Sequence, residues 1–408
     1  MSSAVPVRPR WVVALAATAI VVTAFNLRPA VTSAGALLPD VQAATGMSGT
    51  LAGVLTTLPP VCFGVFGLLG ARLGRRARTP QVLVAAMVLT AVSLVVRALV
   101  DVPLLLVALT VPALAGMAVG NVLLPVAVRR WFPDRVGAAT GWYSLALAAG
   151  TAAASAASVP VAGALGSWRW GLAVWALPAL LACVPWVLLR GHRGEAARPQ
   201  PDPAVGGVPD LEAPATVARR IRRNPRAWAL AGFFGLQSVI AYIVMGWLPS
   251  IYQDAGLSPT AAGGMLGLVM ATGAPVSLAL PVLAARRADQ RRLVVVLVAA
   301  AVAGFGGLLL SGGAVPALWA VLIGVGMGTF PLALVLIGLR SATPAGTAEL
   351  SGMAQGVGYL IAAAGPLLIG ILHDATGSWT PPLLVVLGLL VPQLLCGLVA
   401  AAPGTIDD

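Results

Sequence analysis

The chain has 408 residues, of which 59% are apolar and only 9% are charged. A soluble domain carries charge on about a quarter of its residues, so this composition excludes one and predicts a polytopic membrane protein. The formal net charge of +12 does not predict binding to nucleic acid, because in a membrane protein the position of each charge matters more than the sum. The three cysteines lie in apolar segments without metal-ligand spacing, so neither disulfides nor a metal or other cofactor is expected.

Twelve apolar segments have the length of roughly 20 residues that a helix needs to cross about 30 Å of hydrocarbon. In chain order they lie at 11–38, 48–71, 80–100, 103–128, 137–162, 168–189, 227–250, 260–284, 293–311, 316–339, 350–372 and 381–401. The long polar stretch between the sixth and the seventh segment, rich in arginine and proline, predicts a flexible linker between two groups of six spans. We therefore predict an all-α membrane protein with a six-helix bundle at 1–190, a cytoplasmic linker at 191–226 and a second six-helix bundle at 227–408.

The arginines predict the orientation of these spans, because cytoplasmic loops hold an excess of basic residues. If the N-terminus is cytoplasmic, the loops on that side of the membrane hold 22 of the 25 basic residues, all of which are arginine. Both termini are therefore expected on the cytoplasmic side of the cell membrane. The three remaining arginines are Arg97 and Arg169, near outer ends of spans, and Arg28, inside the first span.

An internal repeat relates the two halves at an offset of 210 residues. It places LLPDVQAATGMSGTLAG, from Leu37, over WLPSIYQDAGLSPTAAG, from Trp247. The matched pairs are Pro39 with Pro249, Gly46 with Gly256, Ser48 with Ser258, Thr50 with Thr260, and Gly53 with Gly263. Both halves enter the membrane from the same side, so the repeat is parallel, and a ligand is expected near the midplane between the halves. The offset maps Arg28 onto Ser238 and Thr32 onto Tyr242.

The loop after the second span, GLLGARLGRR, resembles the major facilitator signature G-x-x-x-D-R-x-G-R-R. We predict a gating-loop motif whose residues in register are Gly67, Arg72, Gly74, Arg75 and Arg76. Ala71 stands where the family usually has Asp. In the superfamily that carboxylate belongs to a charge cluster that holds one conformational state, so this chain departs from the usual gating arrangement.

Four further stretches are similar to the cyanate permease and 2-nitroimidazole exporter family of major facilitators. They are NLRPAVTSAGALLP, LTTLPPVCFGVFG, GNVLLPVAVRRWFP and LSGMAQGVGYLIAAAGPLLIGILHDATGSW. The resemblance implies the major facilitator fold, with twelve transmembrane helices in two six-helix bundles. It also implies a secondary transporter that moves a cyanate-like anion or a nitroimidazole-like compound by alternating access. We expect a monomer.

Arg28 is the strongest candidate for a binding residue. It lies eighteen residues after Arg10 and twelve before Asp40, or about 27 Å and 18 Å along a helix. A charge at the centre of the bilayer costs about 2.5–3.5 kcal/mol on insertion scales, so a cavity and a partner are expected. All 13 acidic residues lie in loops, at helix ends or in the tail. The counter-ion is therefore predicted to be an anionic or dipolar substrate. Snorkelling to external headgroups and binding to backbone carbonyls are the alternatives.

Other polar residues in the spans are weaker candidates for substrate binding. On the helical wheel Asn26 points about 200° away from Arg28, so a packing role is as plausible for it as ligand contact. Ser351, Gln355 and Tyr359 recur every four residues of the eleventh span, where such a stripe either lines a cavity or joins helices by hydrogen bonds. The remaining predicted binding residues are Gln237, Ser238 and Tyr242 in the seventh span and Asn121 in the fourth.

Other functions fit the residue inventory less well. Efflux of apolar compounds predicts an aromatic cavity with a buried acid, whereas the chain has 8 Phe and 4 Tyr and no acid at that depth. A membrane-embedded enzyme would need paired carboxylates, metal-spaced His or Cys, or a nucleophile beside a base. Nothing marks a signalling domain of the kind a sensor carries. Glu349, at the inner start of the eleventh span, is the acid nearest to a proton-relay position, and uniport, exchange and proton coupling all stay open.

Overall fold

The computed structural model describes residues 9–76, 79–132, 135–189, 215–311 and 313–406. The described part of the chain forms seventeen helices. They are α1 (Arg10–Phe25), α2 (Pro29–Ala36), α3 (Leu38–Thr45), α4 (Gly49–Arg76), α5 (Thr79–Ala98), α6 (Pro103–Trp131), α7 (Val136–Ala164), α8 (Trp168–Ala173), α9 (Ala176–Leu189), α10 (Ala215–Arg223), α11 (Pro225–Asp254), α12 (Pro259–Ala285), α13 (Arg291–Ser311), α14 (Pro316–Gly326), α15 (Thr329–Leu339), α16 (Pro344–Thr376) and α17 (Thr380–Ala400).

These helices provide twelve stretches long and apolar enough to cross a membrane, which confirms the predicted number of spans. Three of the spans consist of two helices each, namely α1 with α2, α8 with α9, and α14 with α15. The first span, expected to be one helix over 11–38, is therefore broken at residues 26–28. Part of the expected linker is helical, because α10 lies within it, whereas its residues 191–214 lie outside the described part.

Successive spans alternate in direction, so their ends form two sides of the protein. The side where α1 and α11 begin and α17 ends is called the terminus side here, and the opposite side, with Gly46, Gly256 and Gly377, is called the far side. Proline in the first turn begins many of the helices, including α6, α11, α12 and α16. Its fixed φ suits that position, where its missing N–H leaves no helical bond unmade.

Local geometry repeats at the offset of 210 residues. Gly46 and Gly256 both have a left-handed backbone, with φ of 68° and 95°, at the far-side ends of α3 and α11. Only glycine takes this conformation without a steric cost. Two residues later the Ser48 hydroxyl accepts a hydrogen bond from the backbone N–H of Leu51 at 3.2 Å, and Ser258 accepts one from Ala261 at 3.3 Å. The two halves therefore share a turn and a helix cap in addition to the matching residues of their sequences.

The halves approach one another closely on the far side. A Cβ built on Gly53 of α4 would lie 3.0 Å from the backbone of Leu367 in α16. A Cβ on Gly263 of α12, the repeat partner of Gly53, would lie 2.9 Å from the carbonyl oxygen of Ser155 in α7. Small residues allow such approaches between membrane helices. The far side is thus sealed by two related helix crossings.

The same four helices carry glycines nearer the terminus side that have no such neighbour. A Cβ built on any of them meets no described atom within 4 Å, and they are Gly64 in α4, Gly141 in α7, Gly273 in α12 and Gly356 in α16. Close packing between the halves is therefore a property of the far side in the part of the chain that the structure describes.

Candidate functional site

The break in the first span places Arg28 outside regular helix. α1 ends at Phe25, α2 begins at Pro29, and Arg28 lies between them with φ −130° and ψ −20°. Pro29 has no backbone N–H and disfavours helical geometry at the residue before it, which accounts for the interruption. Irregular backbone at membrane depth is tolerated where it is buried in protein or lines a cavity. The break therefore marks a site rather than a lipid-facing surface.

The guanidinium of Arg28 lies between the two halves. Its Cζ is 4.7 Å from the centre of the Phe63 ring, on α4. The hydroxyl groups of Tyr143 on α7, Tyr242 on α11 and Tyr359 on α16 lie within electrostatic range of the guanidinium. The Nη1 atom is buried and has no hydrogen-bond partner, and no carboxylate pairs with Arg28 among the described residues. Within the described part of the chain, the site thus holds a cation that has no carboxylate partner and lies between the halves.

Two of these tyrosines, Tyr242 and Tyr359, belong to the predicted set, and the structure brings them to Arg28. Tyr143 was missed. It follows Trp142 near the start of a span, where aromatic residues ordinarily form the interfacial belt, so its pattern carried no sign of a site. The ring of Tyr359 also packs edge-to-face against Phe234, with ring centres 5.5 Å apart.

The other predicted residues of the C-terminal half bind to each other. Gln237 is buried and donates from Nε2 to the Ser238 hydroxyl at 2.6 Å, and that hydroxyl donates to the Phe234 carbonyl at 2.8 Å. Gln355 is half-buried and donates to the Ser351 hydroxyl at 2.8 Å, so two members of the predicted α16 stripe are joined. In each pair the glutamine uses its amide N–H, so its amide oxygen can still accept a hydrogen bond.

Two predicted residues lie apart from this group. Asn26 is buried and donates from Nδ2 to the carbonyl oxygens of Val22 at 2.8 Å and Pro178, on α9, at 3.0 Å. It therefore attaches the break to a neighbouring helix of its own half. Asn121 is half-buried on α6, with no hydrogen bond to a described residue.

Arg28 is not alone in lacking a carboxylate partner among the described residues. Arg97, expected near the outer end of a span, is fully buried. Its Nη1 and Nη2 both donate to the carbonyl oxygen of Ala30, at 3.3 and 3.4 Å, and its Nε has no partner. Apolar packing around the end of α5 hides this residue, and apolar sequence does not distinguish packing against protein from packing against lipid.

The remaining predicted features lie on the terminus side. Glu349 is buried on α16 and pairs with Arg222 of α10, with an N–O distance of 3.0 Å. The gating-loop residues form the end of α4, and their side chains lie outside the described part of the structure. They are Gly67, Arg72, Gly74, Arg75 and Arg76.

Twelve spans in two repeated halves, with a broken first span and its arginine between the halves, are features typical of a membrane transporter of small solutes. The sequence profile of the Major Facilitator Superfamily matches residues 14–366, and the chain belongs to that superfamily. It is therefore a multi-pass membrane transporter rather than an enzyme, as predicted.

Curated relatives match nearly the whole chain. The 2-nitroimidazole transporter of Escherichia coli (strain K12) is 36% identical over 386 residues, covering 93% of this chain and 94% of the relative. The cyanate transport protein CynX of the same organism is 30% identical over 380 residues, covering 92% and 95%. These matches confirm the resemblance drawn from the sequence stretches.

A solved structure supports the fold. The nucleoside transporter NupG superposes with a TM-score of 0.74 at 14% identity, covering 95% of this chain and 98% of NupG. At that identity the likeness shows the fold alone, which is the predicted major facilitator arrangement of two six-helix bundles.

Proposed function

We propose that this transporter moves a small anionic or strongly dipolar solute, such as a cyanate-like anion or a nitroimidazole-like compound, across the cytoplasmic membrane by alternating access. The observation that carries the proposal is the buried Nη1 of Arg28, which has no partner in the described structure. Leaving a buried polar group without a hydrogen bond costs about 1–3 kcal/mol, and more for a charged group. An anion that accepts a hydrogen bond from Nη1 removes this cost, so its binding is favoured.

The chemistry of the surrounding groups favours a planar solute. A guanidinium presents its donors in a flat fork that matches a planar acceptor such as a carboxylate or nitro group. The hydroxyls of Tyr143, Tyr242 and Tyr359 add donors around it, and their rings offer flat faces. The names of two relatives, a 2-nitroimidazole transporter and a cyanate transport protein, support solutes of this kind.

The predicted binding residues divide into two groups under this proposal. Arg28, Tyr242 and Tyr359 are assigned direct contact with the solute, together with Tyr143. Support for direct contact is weaker for the rest, because their hydrogen bonds go to neighbouring protein groups or because no contact with the Arg28 group is seen. The second group consists of Gln237, Ser238, Gln355, Asn121 and Asn26.

The arginine distribution supports an orientation with both termini in the cytoplasm, so that the far side faces outward. In this orientation the structure is closed toward the outside, and solute reaches Arg28 from the cytoplasm. The bundle boundaries at 1–190, 191–226 and 227–408 and the monomeric state stay predictions of the same proposal.

The positions of the acids favour transport that uses no proton relay in the protein. Glu349 is paired with Arg222, and no acid pairs with Arg28 in the described structure, so the charge of the solute is the partner that Arg28 receives. Export of a monoanion then gains about 2.3 kcal/mol per 100 mV of inside-negative potential, and import must overcome the same amount. Transport by uniport or exchange needs no further titratable group.

The test is uptake and efflux in proteoliposomes. Labelled cyanate, other small monoanions and 2-nitroimidazole are compared, with urea as an uncharged solute. Arg28→Ala and Arg28→Lys are each expected to abolish transport, because a point charge does not replace a planar fork. Arg169→Lys, at a far-side arginine that pairs with Asp101, is the matched control and retains transport. Wild-type rates in correctly inserted Arg28 variants would refute the proposal.

A further inference from the structure

Phe63 is the described residue whose ring lies directly against the Arg28 guanidinium. It is buried on α4, and the Cζ of Arg28 lies 4.7 Å from its ring centre. The negative face of an aromatic ring attracts a cation within about 6 Å. A ring accepts no strong hydrogen bond from the guanidinium, so the contact leaves the N–H groups of Arg28 available as donors. The buried Nη1, which has no partner in the described structure, agrees with this.

A carboxylate in the same place would act differently. Carboxylate and guanidinium form two parallel charge-assisted hydrogen bonds, which would occupy the donors and cancel the charge. An anionic solute would then compete with that partner. An aromatic ring holds the arginine without this competition.

We propose that Phe63 is a positioning residue, which holds the Arg28 guanidinium between the halves while leaving its charge available to an anion. This inference rests on the function proposed for Arg28. Removing the ring lets the arginine occupy more orientations, so the solute binds less tightly. The ring does not touch the solute itself, so turnover at saturation is retained.

The test measures KM and kcat for Phe63 variants in proteoliposomes, with labelled cyanate and, in parallel, labelled 2-nitroimidazole. Phe63→Leu and Phe63→Met keep an apolar side chain and are expected to raise KM about threefold to thirtyfold, the fold-change that corresponds to a cation–π contact, with kcat near the wild-type value. Phe63→Tyr keeps the ring and restores KM, whereas Phe63→Glu abolishes anion transport. Phe66→Leu, three residues along the same helix, is the control and leaves KM unchanged.

The outcomes separate the two levels of the proposal. An unchanged KM in both Phe63→Leu and Phe63→Met, or an equal rise in Phe66→Leu, overturns the role of Phe63 while Arg28 keeps its own. Wild-type transport by the Arg28 variants overturns the proposed function itself. Two aliphatic variants are used so that poor folding of one leaves the other informative.

A separate observation concerns Asp374, at the far-side end of α16. Its carboxylate accepts hydrogen bonds from the backbone N–H groups of Gly49 at 2.9 Å and Thr50 at 2.6 Å, and from the Thr50 hydroxyl at 2.9 Å. The first N–H groups of a helix lack partners within it and carry partial positive charge. An acid of the C-terminal half therefore caps α4 of the N-terminal half.

This arrangement has no counterpart at the related positions. The offset of 210 residues places Ala164 where Asp374 lies. Both α4 and α12 have a cap from their own serine, Ser48 and Ser258, but among the described residues only α4 is also capped by an acid of the other half. At the other end of α4 the chain has Ala71, where the resembling signature has Asp. Among the described far-side residues, Asp374 makes all the hydrogen bonds that join the halves.

We infer that Asp374 is a clasp that holds the far side closed and releases α4 when the halves rock apart. Asp374→Asn weakens bonds that gain strength from the carboxylate charge. The ratio of far-side-open to far-side-closed molecules is expected to rise about tenfold. Thr50→Val removes one bond of the three and is expected to give a smaller rise.

Pulsed dipolar spectroscopy measures that ratio between spin labels at exposed far-side positions, Ala43→Cys and Thr260→Cys, in a background without native cysteines that still transports. Asp254→Asn, which changes an exposed acid at the far-side end of α11, is the matched control and keeps the wild-type distances. Identical distance distributions for Asp374→Asn and Asp254→Asn would overturn the clasp. This outcome is independent of the solute and of the Arg28 assignment.

Discussion

The close packing of α2 against α11 predicts what a methyl group would do at Gly35, on α2. A Cβ at this position would lie 1.9 Å from the carbonyl oxygen of Met245 and 3.2 Å from the Cα of Gly246, both on α11. Ordinary contacts begin at 3.4 Å, so the two backbones must separate by about 1.5 Å. A methyl group fixed to the backbone has no rotamer by which it escapes. Gly35→Ala therefore opposes the far-side-closed state and leaves the open state untouched.

The magnitude follows from the cost of overpacking, which is about 1–3 kcal/mol. Since 1.4 kcal/mol is a factor of ten, the closed-to-open ratio is expected to fall by about one to two orders of magnitude. The assay is the distance between spin labels at Ala43→Cys and Thr260→Cys, together with the transport rate, which is expected to fall because one state of the cycle becomes rare.

Gly264→Ala is the matched control, since a Cβ there meets no described atom within 4 Å. Both variants replace glycine by alanine within a helix, so both gain the same helix propensity of about 0.5–1 kcal/mol. If Gly35→Ala keeps the closed distance and the transport rate of Gly264→Ala, the helices absorb the methyl group and the reasoning about the seal is refuted.

Three further predictions concern stability and the linker. Thr23→Val leaves the buried Trp186 Nε1–H without the hydroxyl that it meets at 2.7 Å, so the free energy of unfolding should fall by about 1–3 kcal/mol, measured as a lower melting temperature in detergent; an unchanged value would contradict it. Burial raises the pKa of Asp40, in α3, above its ordinary value of 3.8. The free energy of unfolding therefore falls as the pH rises from the ordinary pKa of the unfolded chain to the raised pKa of the folded protein. Asp40→Asn should remove this pH dependence and raise the melting temperature at neutral pH, and parallel curves for both proteins would count against it. Arg222→Gln should release α10 from Glu349 and speed amide exchange in Ala215–Arg223, with exchange in α13 as the internal reference. Equal exchange in variant and wild type would exclude this anchoring.

Span number and repeat could be predicted because they depend on local quantities. A helix needs a fixed apolar length to cross the membrane, so counting segments was sufficient. Paired turns at Gly46 and Gly256 require a left-handed residue, which keeps glycine recognisable in both halves. Arg28 could be singled out because charge inside an apolar segment is costly wherever the neighbouring helices lie.

The partners of Arg28 could not be predicted in the same way. In a soluble protein the buried face of a helix is apolar and the exposed face polar, but in a membrane both faces are apolar. Phe63 therefore looked like any lipid-facing residue, and the burial of Arg97 was equally hidden. The break before Pro29 had a local cause, yet proline also occurs inside unbroken spans such as α4 and α11, so residue type alone does not decide the outcome.

The repeat distinguishes the features of the molecule that occur twice from those that occur once. The turns at Gly46 and Gly256 and the crossings at Gly53 and Gly263 occur twice, whereas the cation of the site occurs once, with Ser238 in the equivalent place. Under the proposed function, the parts that close the far side are therefore duplicated, whereas the charge that binds the solute comes from one half. Under the same proposal, exchanging side chains around residue 28 changes the solute that is transported and leaves the crossings at Gly53 and Gly263 intact.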